Sequence, residues 1–348
     1  MNARRRLRDL VVLASSEHDD PTPILDYVRT AGRDLGARII NVKNGDRPAI
    51  LLAWGKPRLL FSGHLDTVPR AGIWKAKTGA IRAGRMYGRG TTDMKAGCAA
   101  MLAAAERGKD VGGFGILFTT DEETHMRGAE AAVARGLLAD TEFVIVGEPT
   151  SLQPNLGQKG ILQIDLATEG RSGHASMPWS GVNAIARMGR LLAALRPFAG
   201  VTPRRAKMMT ASPNQIEGGV AMNVIADRCV LALDVRYAPG LSEGAARRRL
   251  DTALRRAGVP YRIEVVNRLP PLKSKPHPLA KRLQARAGRP FGFCDFATEA
   301  ACFTPAGAAF VVLGPGEPQD CHVTDESVDL AAVDRATELY AAALTMRS

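Results

Sequence analysis

Asp121, Glu122 and Glu123 stand in a row in "DEETHMRGA", directly after "GFGILFTT", an apolar run that reads as a buried strand. Like charges side by side repel, and their pKa values separate unless something positive lies between them. An isolated acidic triplet is ordinarily a solvated turn. Other polar residues at strand ends change that reading. "FSGHLDTVP" sets His64 and Asp66 two apart, so strand alternation lets both face the same way. A metal-binding histidine usually gives its other ring proton to a carboxylate, and Asp66 is placed to accept it. "YGRGTTDMKAG" supplies Asp93 at a glycine-rich entry to a helix, where Asp also serves as an ordinary N-cap. "VGEPT" ends a further strand with Glu148, and "GPGEPQDCHVTDE" presents His322. Two histidines and several carboxylates at the carboxyl ends of strands match the mixed nitrogen and oxygen ligand set of zinc. A pair of cations would neutralise the triplet.

The elements that must position these residues read as α/β. Apolar runs predict strands at 49–54, 58–64, 115–120, 143–148 and 308–314. Such runs suit strands buried on both faces of a helix-covered sheet. The alanine-rich "KAGCAAMLAAAERG" (95–108) reads as a helix able to pack closely on that sheet. The middle differs: strand 163–170, helix 181–196, strands 207–219 and 228–237, helix 242–258, strand 261–267. This β-α-β-β-α-β order is the ferredoxin-like split unit. The expected organisation is a helix-flanked mixed-sheet domain from 1–157 and 270–348, with an α+β domain inserted at 158–269.

Composition sets outer limits. The 348 residues are 45% hydrophobic and 24% charged, as in globular proteins. No apolar run approaches a membrane span. The start, "MNARRRLRDLVVLASSEHDD", is too quickly interrupted by acidic residues to be a signal peptide and reads as an amphipathic helix. Five cysteines without CxxC spacing suit a reducing compartment, so a cytoplasmic protein is expected. The net charge of +12 is scattered along amphipathic helices, with no nucleic-acid-binding motif beside it. It suits anionic substrates or acidic partners rather than nucleic acid or membrane.

Taken in order, "GHLDTVP", "GRGTTDMKAG", "TTDEE", "GEPT", "GQKG", "SGHASMP", "MNVIAD", "DVR" and "GPG…CH" resemble the motifs of the M20 metallopeptidase family. That family includes acetylornithine deacetylase, succinyl-diaminopimelate desuccinylase, aminoacylase and glutamate carboxypeptidases. The resemblance implies a dinuclear amide hydrolase whose inserted domain is a lid and dimerisation domain. It implies that His64 and Glu148 bind one divalent ion, Glu123 and His322 a second, and Asp93 both; zinc is the expected metal, with cobalt or manganese as substitutes. It makes Glu122 the general base and Asp66 the residue that orients His64. His174 would reach into the partner subunit's site of a homodimer and stabilise the oxyanion. Asn223 and Arg236 would hold the substrate carboxylate, and a cis peptide is expected after Asp93. Asp121 is left as an exposed residue of the turn, and His125 as a surface residue.

The substrate class implied is an N-acyl amino acid. "ATEAACF" resembles the acetylornithine deacetylase pattern, which sets Glu299 toward a substrate ammonium group. The alternatives are the desuccinylase, a hydrolase releasing lysine or ornithine from an acidic carrier protein, and a non-catalytic binding relative.

Overall fold

A computed structural model describes residues 2–199, 208–275 and 277–346. The chain divides into two compact units, one formed by residues 1–157, 274–294 and 298–348, the other by residues 158–273 and 295–297.

The first unit is built on a mixed sheet. Its strands are β1 (Arg38–Val42), β2 (Ala49–Trp54), β3 (Leu59–His64), β4 (Phe114–Thr119), β5 (Phe143–Val146), β6 (Asn155–Gln158) and, late in the chain, β11 (Ala309–Val312). They lie in the order β1-β2-β4-β3-β5-β11-β6. The inner pairs β4/β3, β3/β5 and β5/β11 are parallel, and β1/β2, β2/β4 and β11/β6 are antiparallel. All six residues of β2, β3 and β4 are buried, which is why these segments read as unbroken apolar runs. Helices α1 (Ala3–Val11), α3 (Ala96–Gly108) and α9 (Leu330–Thr345) share one core with Phe61, Ile116, Phe118, Ile145 and Val311 of the sheet. Helix α2 (Thr22–Asp34) adds Ile24, Leu25 and Val28 to it, and α7 (Pro278–Ala287) adds Leu279 and Leu283. Helices α4 (Arg127–Ala134) and α8 (Ala300–Phe303) pack on each other.

Helix α3 shows why so many small residues were needed. A Cβ on Gly97 would lie 2.3 Å from the Gly147 carbonyl oxygen, so only glycine lets the first turn of α3 sit against the end of β5. Glu148 follows at once.

The second unit runs β7 (Gly160–Glu169), α5 (Ala184–Ala194), β8 (Met209–Gly218), β9 (Arg228–Tyr237), α6 (Glu243–Arg255) and β10 (Arg262–Leu269). Its antiparallel sheet has the order β8-β9-β7-β10. Alternating burial along β7 and β9 puts Leu162, Ile164, Leu166, Leu231, Leu233 and Val235 into one core with Met188 and Leu191 of α5 and Leu250 and Leu254 of α6. The sequence places the start of β8 at Lys207, which lies outside the described residues. Among the described residues no helix is long and apolar enough to cross a membrane.

Candidate metal centre

Three parallel strands end side by side and present the centre. His64 is the last residue of β3, in register with Thr119 of β4, while Ser62 pairs with Val146 of β5. The Asp121–Glu123 turn therefore leaves β4 beside His64, and Glu148 leaves β5 on its other side.

His64 is 1% exposed. Its Nε2 lies 3.1 Å from Asp93 Oδ1, 3.4 Å from Glu148 Oε1 and 4.0 Å from Glu122 Oε2. His322 Nε2 lies 3.2 Å from Asp93 Oδ2 and 3.1 Å from Glu123 Oε1. The two oxygens of Asp93 thus face different histidines. Donor atoms of His64, Asp93 and Glu123 lie within 4.8 Å of one another, as do those of His64, Glu122 and Glu148. Asp93 is not a helix cap: its φ of −117° and ψ of 101° lie outside the helical region, and α3 begins only at Ala96. The Asp93–Met94 peptide is cis.

Asp66 differs in detail from its expected part. His64 Nδ1 lies 2.9 Å from the Asp66 carbonyl oxygen and 3.6 Å from its carboxylate. The carboxylate instead accepts the Glu123 N–H at 3.0 Å. One residue thus fixes the ring of His64 and the backbone of Glu123.

Asp121 corrects the reading of an exposed turn residue. It is 3% exposed, and its carboxylate accepts the N–H groups of Arg127 and Gly128, each at 2.9 Å, and Asn44 Nδ2 at 3.2 Å. The first turn of α4 has N–H groups without intrahelical partners, and Asp121 satisfies two of them. Only Glu122 and Glu123 of the triplet enter the centre. His125 is exposed, as expected.

The electrostatics follow from burial. Burial, together with the neighbouring Asp93, pushes Glu148 up to about 8. Burial, with Glu148 and Glu123 close by, holds the Glu122 carboxyl well above its ordinary range. Burial opposes ionisation of Asp93 too, yet His322 and His64 hold it well below the carboxylate range. Hydrogen bonds to Asp93 and Glu123 push His322 up to about 10. With all four carboxylates ionised the centre would carry more negative charge than two imidazolium ions offset, which is why burial holds Glu122 and Glu148 toward the neutral form. Two divalent cations would balance it, and the oxygen and nitrogen donors suit zinc, cobalt or manganese. The residues present fit a metal pair.

Glu299 is 1% exposed and accepts the Ser62 hydroxyl at 2.7 Å, which is an enclosed position rather than a face open to an ammonium group. Burial pushes it up to about 7.

His174, Asn223 and Arg236 belong to the second unit. His174 is exposed, and its Nδ1 accepts the Ser176 N–H at 3.2 Å with the Ser176 hydroxyl at 2.8 Å. Asn223 is exposed, and its carbonyl accepts the Ala175 N–H at 2.9 Å. Arg236 is held by Asp234 of the same strand, Nε to Oδ1 at 2.6 Å and an Nη to Oδ2 at 3.0 Å. The "DVR" spacing puts these two side chains on one face of β9.

Sequence reasoning passed over Glu326, which is fully buried and whose carboxylate accepts the backbone N–H groups of Thr92 and Asp93. It lies four residues beyond His322 in a quoted stretch, but no spacing rule pairs it with residues more than two hundred positions away.

The model of Peptidase family M20/M25/M40 matches residues 60–346. Acetylornithine deacetylase of Proteus mirabilis (strain HI4320) is 33% identical over 312 residues, covering 83% of this chain and 79% of that protein. The Myxococcus xanthus enzyme of the same name is 30% identical over 375 residues, covering 98% and 96%. Among solved structures, a tripeptidase from Staphylococcus aureus superposes with a TM-score of 0.80 at 21% identity, over 100% of this chain and 98% of that one. With "GHLDTVP", "GRGTTDMKAG", "TTDEE", "GEPT" and "GPG…CH" meeting at one carboxylate and histidine centre, the chain belongs to peptidase family M20/M25/M40 and is a metal-dependent amide hydrolase.

Proposed function

We propose that the protein hydrolyses the amide bond of an N-acyl amino acid, with an N-acetylornithine-like compound as the favoured substrate. The observation that carries this reading is Asp93 set between His64 and His322, with Glu122 beside them. His64 and Glu148 would hold one cation, Glu123 and His322 the other, and Asp93 both. When bound, the pair supplies Lewis acidity to the scissile carbonyl and makes a water easier to deprotonate.

The chain's own groups do the rest. Glu122 accepts the proton of the attacking water and later gives it to the departing amine. Asp66 holds His64 through its carbonyl and Glu123 through its carboxylate. His174 stabilises the oxyanion in the partner subunit of a homodimer joined through the second unit, the lid of this reading. Asn223 and Arg236 take the substrate carboxylate, which must compete with Asp234 for the guanidinium. Glu299, enclosed against Ser62, is left out of the substrate contacts.

The test is turnover of N-acetylornithine, N-acetylcitrulline and N-succinyl-diaminopimelate by zinc-reconstituted protein. Release of acetate from N-acetylornithine at the highest kcat/KM supports the reading, and preference for the succinyl compound replaces it with the desuccinylase. A second reading rests on charge. Residues 158–273 carry 18 Lys and Arg against 8 Asp and Glu, a net +10 of the chain's +12. An acidic carrier protein bearing the aminoacyl group would suit that unit; turnover of carrier-linked lysine or ornithine, but of none of the three small compounds, would favour it.

A further inference from the structure

Asp93 can face two histidines at once only if the backbone carrying it is held still, and nothing in its own segment is regular enough to do so. Gly90 is left-handed at φ 80°, and neither Asp93 nor Met94 is helical. The stabilising contact comes from Glu326. Its carboxylate accepts the Thr92 N–H at 2.8 Å and the Asp93 N–H at 3.2 Å, through the same oxygen. The other oxygen accepts Arg89 Nη1 at 2.7 Å. Arg89 in turn lies over the Trp74 ring, 5.2 Å from its centroid. The Gly88 N–H donates to the Glu326 carbonyl at 2.9 Å, and the Thr92 hydroxyl to the Ser327 carbonyl at 2.9 Å. Immediately after Glu326, Ser327–Asp329 pairs antiparallel with Arg85–Tyr87. The segment 88–93 is thus fastened at both ends to the segment that follows His322.

We infer that Glu326 is a positioning residue: its carboxylate fixes the backbone that presents Asp93, and so sets the spacing between the two cation positions. Three residues separate it from His322, so the same short stretch would carry one ligand and fix the residue shared by both. Neither its charge nor its length is incidental. The charge compensates Arg89 in a fully buried position, and the length brings one oxygen to two adjacent N–H groups. Groups that orient metal ligands are worth roughly ten- to a hundredfold in metal affinity.

This inference rests on the reading of Asp93 as the shared ligand. The test is titration of metal-free protein with Co2+, followed by calorimetry and visible absorption, on wild type, Glu326→Asp, Glu326→Gln and a control in the core of α9, Leu339→Ala. Glu326→Asp keeps the charge beside Arg89 but withdraws the oxygen by one methylene. It should weaken Co2+ binding about ten- to a hundredfold and alter the Co2+ spectrum. Glu326→Gln keeps the reach and an acceptor, so its Co2+ affinity should stay within about threefold of wild type, while the lost charge beside Arg89 should lower the thermal midpoint. Glu326→Asp that binds Co2+ as wild type does would overturn the inference. So would Leu339→Ala weakening Co2+ as much as Glu326→Asp at equal loss of thermal midpoint, because the effect would then be general loosening. Wild-type protein that takes up no Co2+ would instead overturn the reading of the centre itself.

Discussion

Glu122 and Glu123 are consecutive, so their carboxylates cannot easily converge on one atom. In the structure Glu123 faces His322 while Glu122 lies nearer His64 and Glu148. The proposed mechanism divides the labour: one carboxylate would ligate and its neighbour would move protons. Glu122→Gln should therefore keep two equivalents of zinc by atomic absorption and lose about 10²–10⁴-fold in kcat. Activity within tenfold of wild type would remove Glu122 as the base. Glu299 allows a prediction about stability alone. Burial raises its folded pKa to about 7 from an ordinary 4.5. A carboxyl with a raised folded pKa contributes stability below its unfolded pKa and loses it as pH rises through the folded one. In metal-free protein, Glu299→Gln should gain on wild type between about pH 4.5 and 7, by about 3 kcal/mol at most. A difference between the two denaturation midpoints that is the same at pH 5 and pH 8 would show that Glu299 ionises normally. Of the proposed ligands, His64, Glu123 and Glu148 were legible because they end or closely follow apolar runs, and Asp93 and His322 because they stand in glycine- and proline-rich stretches next to such elements. Asp121 was not, because its partners are backbone N–H groups, which no residue type announces.

At the scale of elements, the centre depends on how tightly helices approach strand ends. Asp121 joins the turn bearing Glu122 and Glu123 to the first turn of α4. Asp121→Ala removes the acceptor and leaves buried N–H groups unpaired, so it should cost about 1–3 kcal/mol in chemical denaturation. Asp121→Asn, which keeps one acceptor, should recover part of that; a loss under 0.5 kcal/mol for the alanine variant would show that the cap is dispensable. Gly97 is the matching device for Glu148. Gly97→Ala must push α3 off the Gly147 carbonyl, and the expected outcome is a lower thermal midpoint together with weaker metal retention on dialysis against chelator. A variant with unchanged midpoint and metal content would mean that α3 shifts without disturbing the strand. The parallel strands were readable from unbroken apolar runs, and α1 from its amphipathic start. The short pairing of Arg85–Tyr87 with Ser327–Asp329 was not: three residues of mixed polarity give no period.

For the whole molecule, the proposal to test is that residues of the second unit serve chemistry carried by the first. His174 sits in a turn in which its Nδ1 is taken by Ser176, so its ring orientation is set locally. If two subunits exchange this histidine, His174→Ala should cost about a hundred- to a thousandfold in kcat with metal content unchanged. Mixed dimers of His174→Ala with Glu122→Gln subunits should then regain activity, because one of their two sites carries neither lesion. Mixed dimers verified by mass yet no more active than the parents would show that each subunit completes its own site. The β-α-β-β-α-β order made the second unit visible from sequence, but subunit exchange leaves no trace in a single chain.

The uneven division of charge has a further consequence. With +10 on residues 158–273 and +2 on all the rest, an approaching carboxylate is drawn first toward that stretch of the chain. Such a pull acts on encounter and not on the chemical step. It also fades as ions shorten its range to about 8 Å at 0.15 M ionic strength. Added sodium chloride should therefore lower kcat/KM for anionic substrates while leaving kcat nearly level, and a substrate amidated at its carboxylate should show little of that slope.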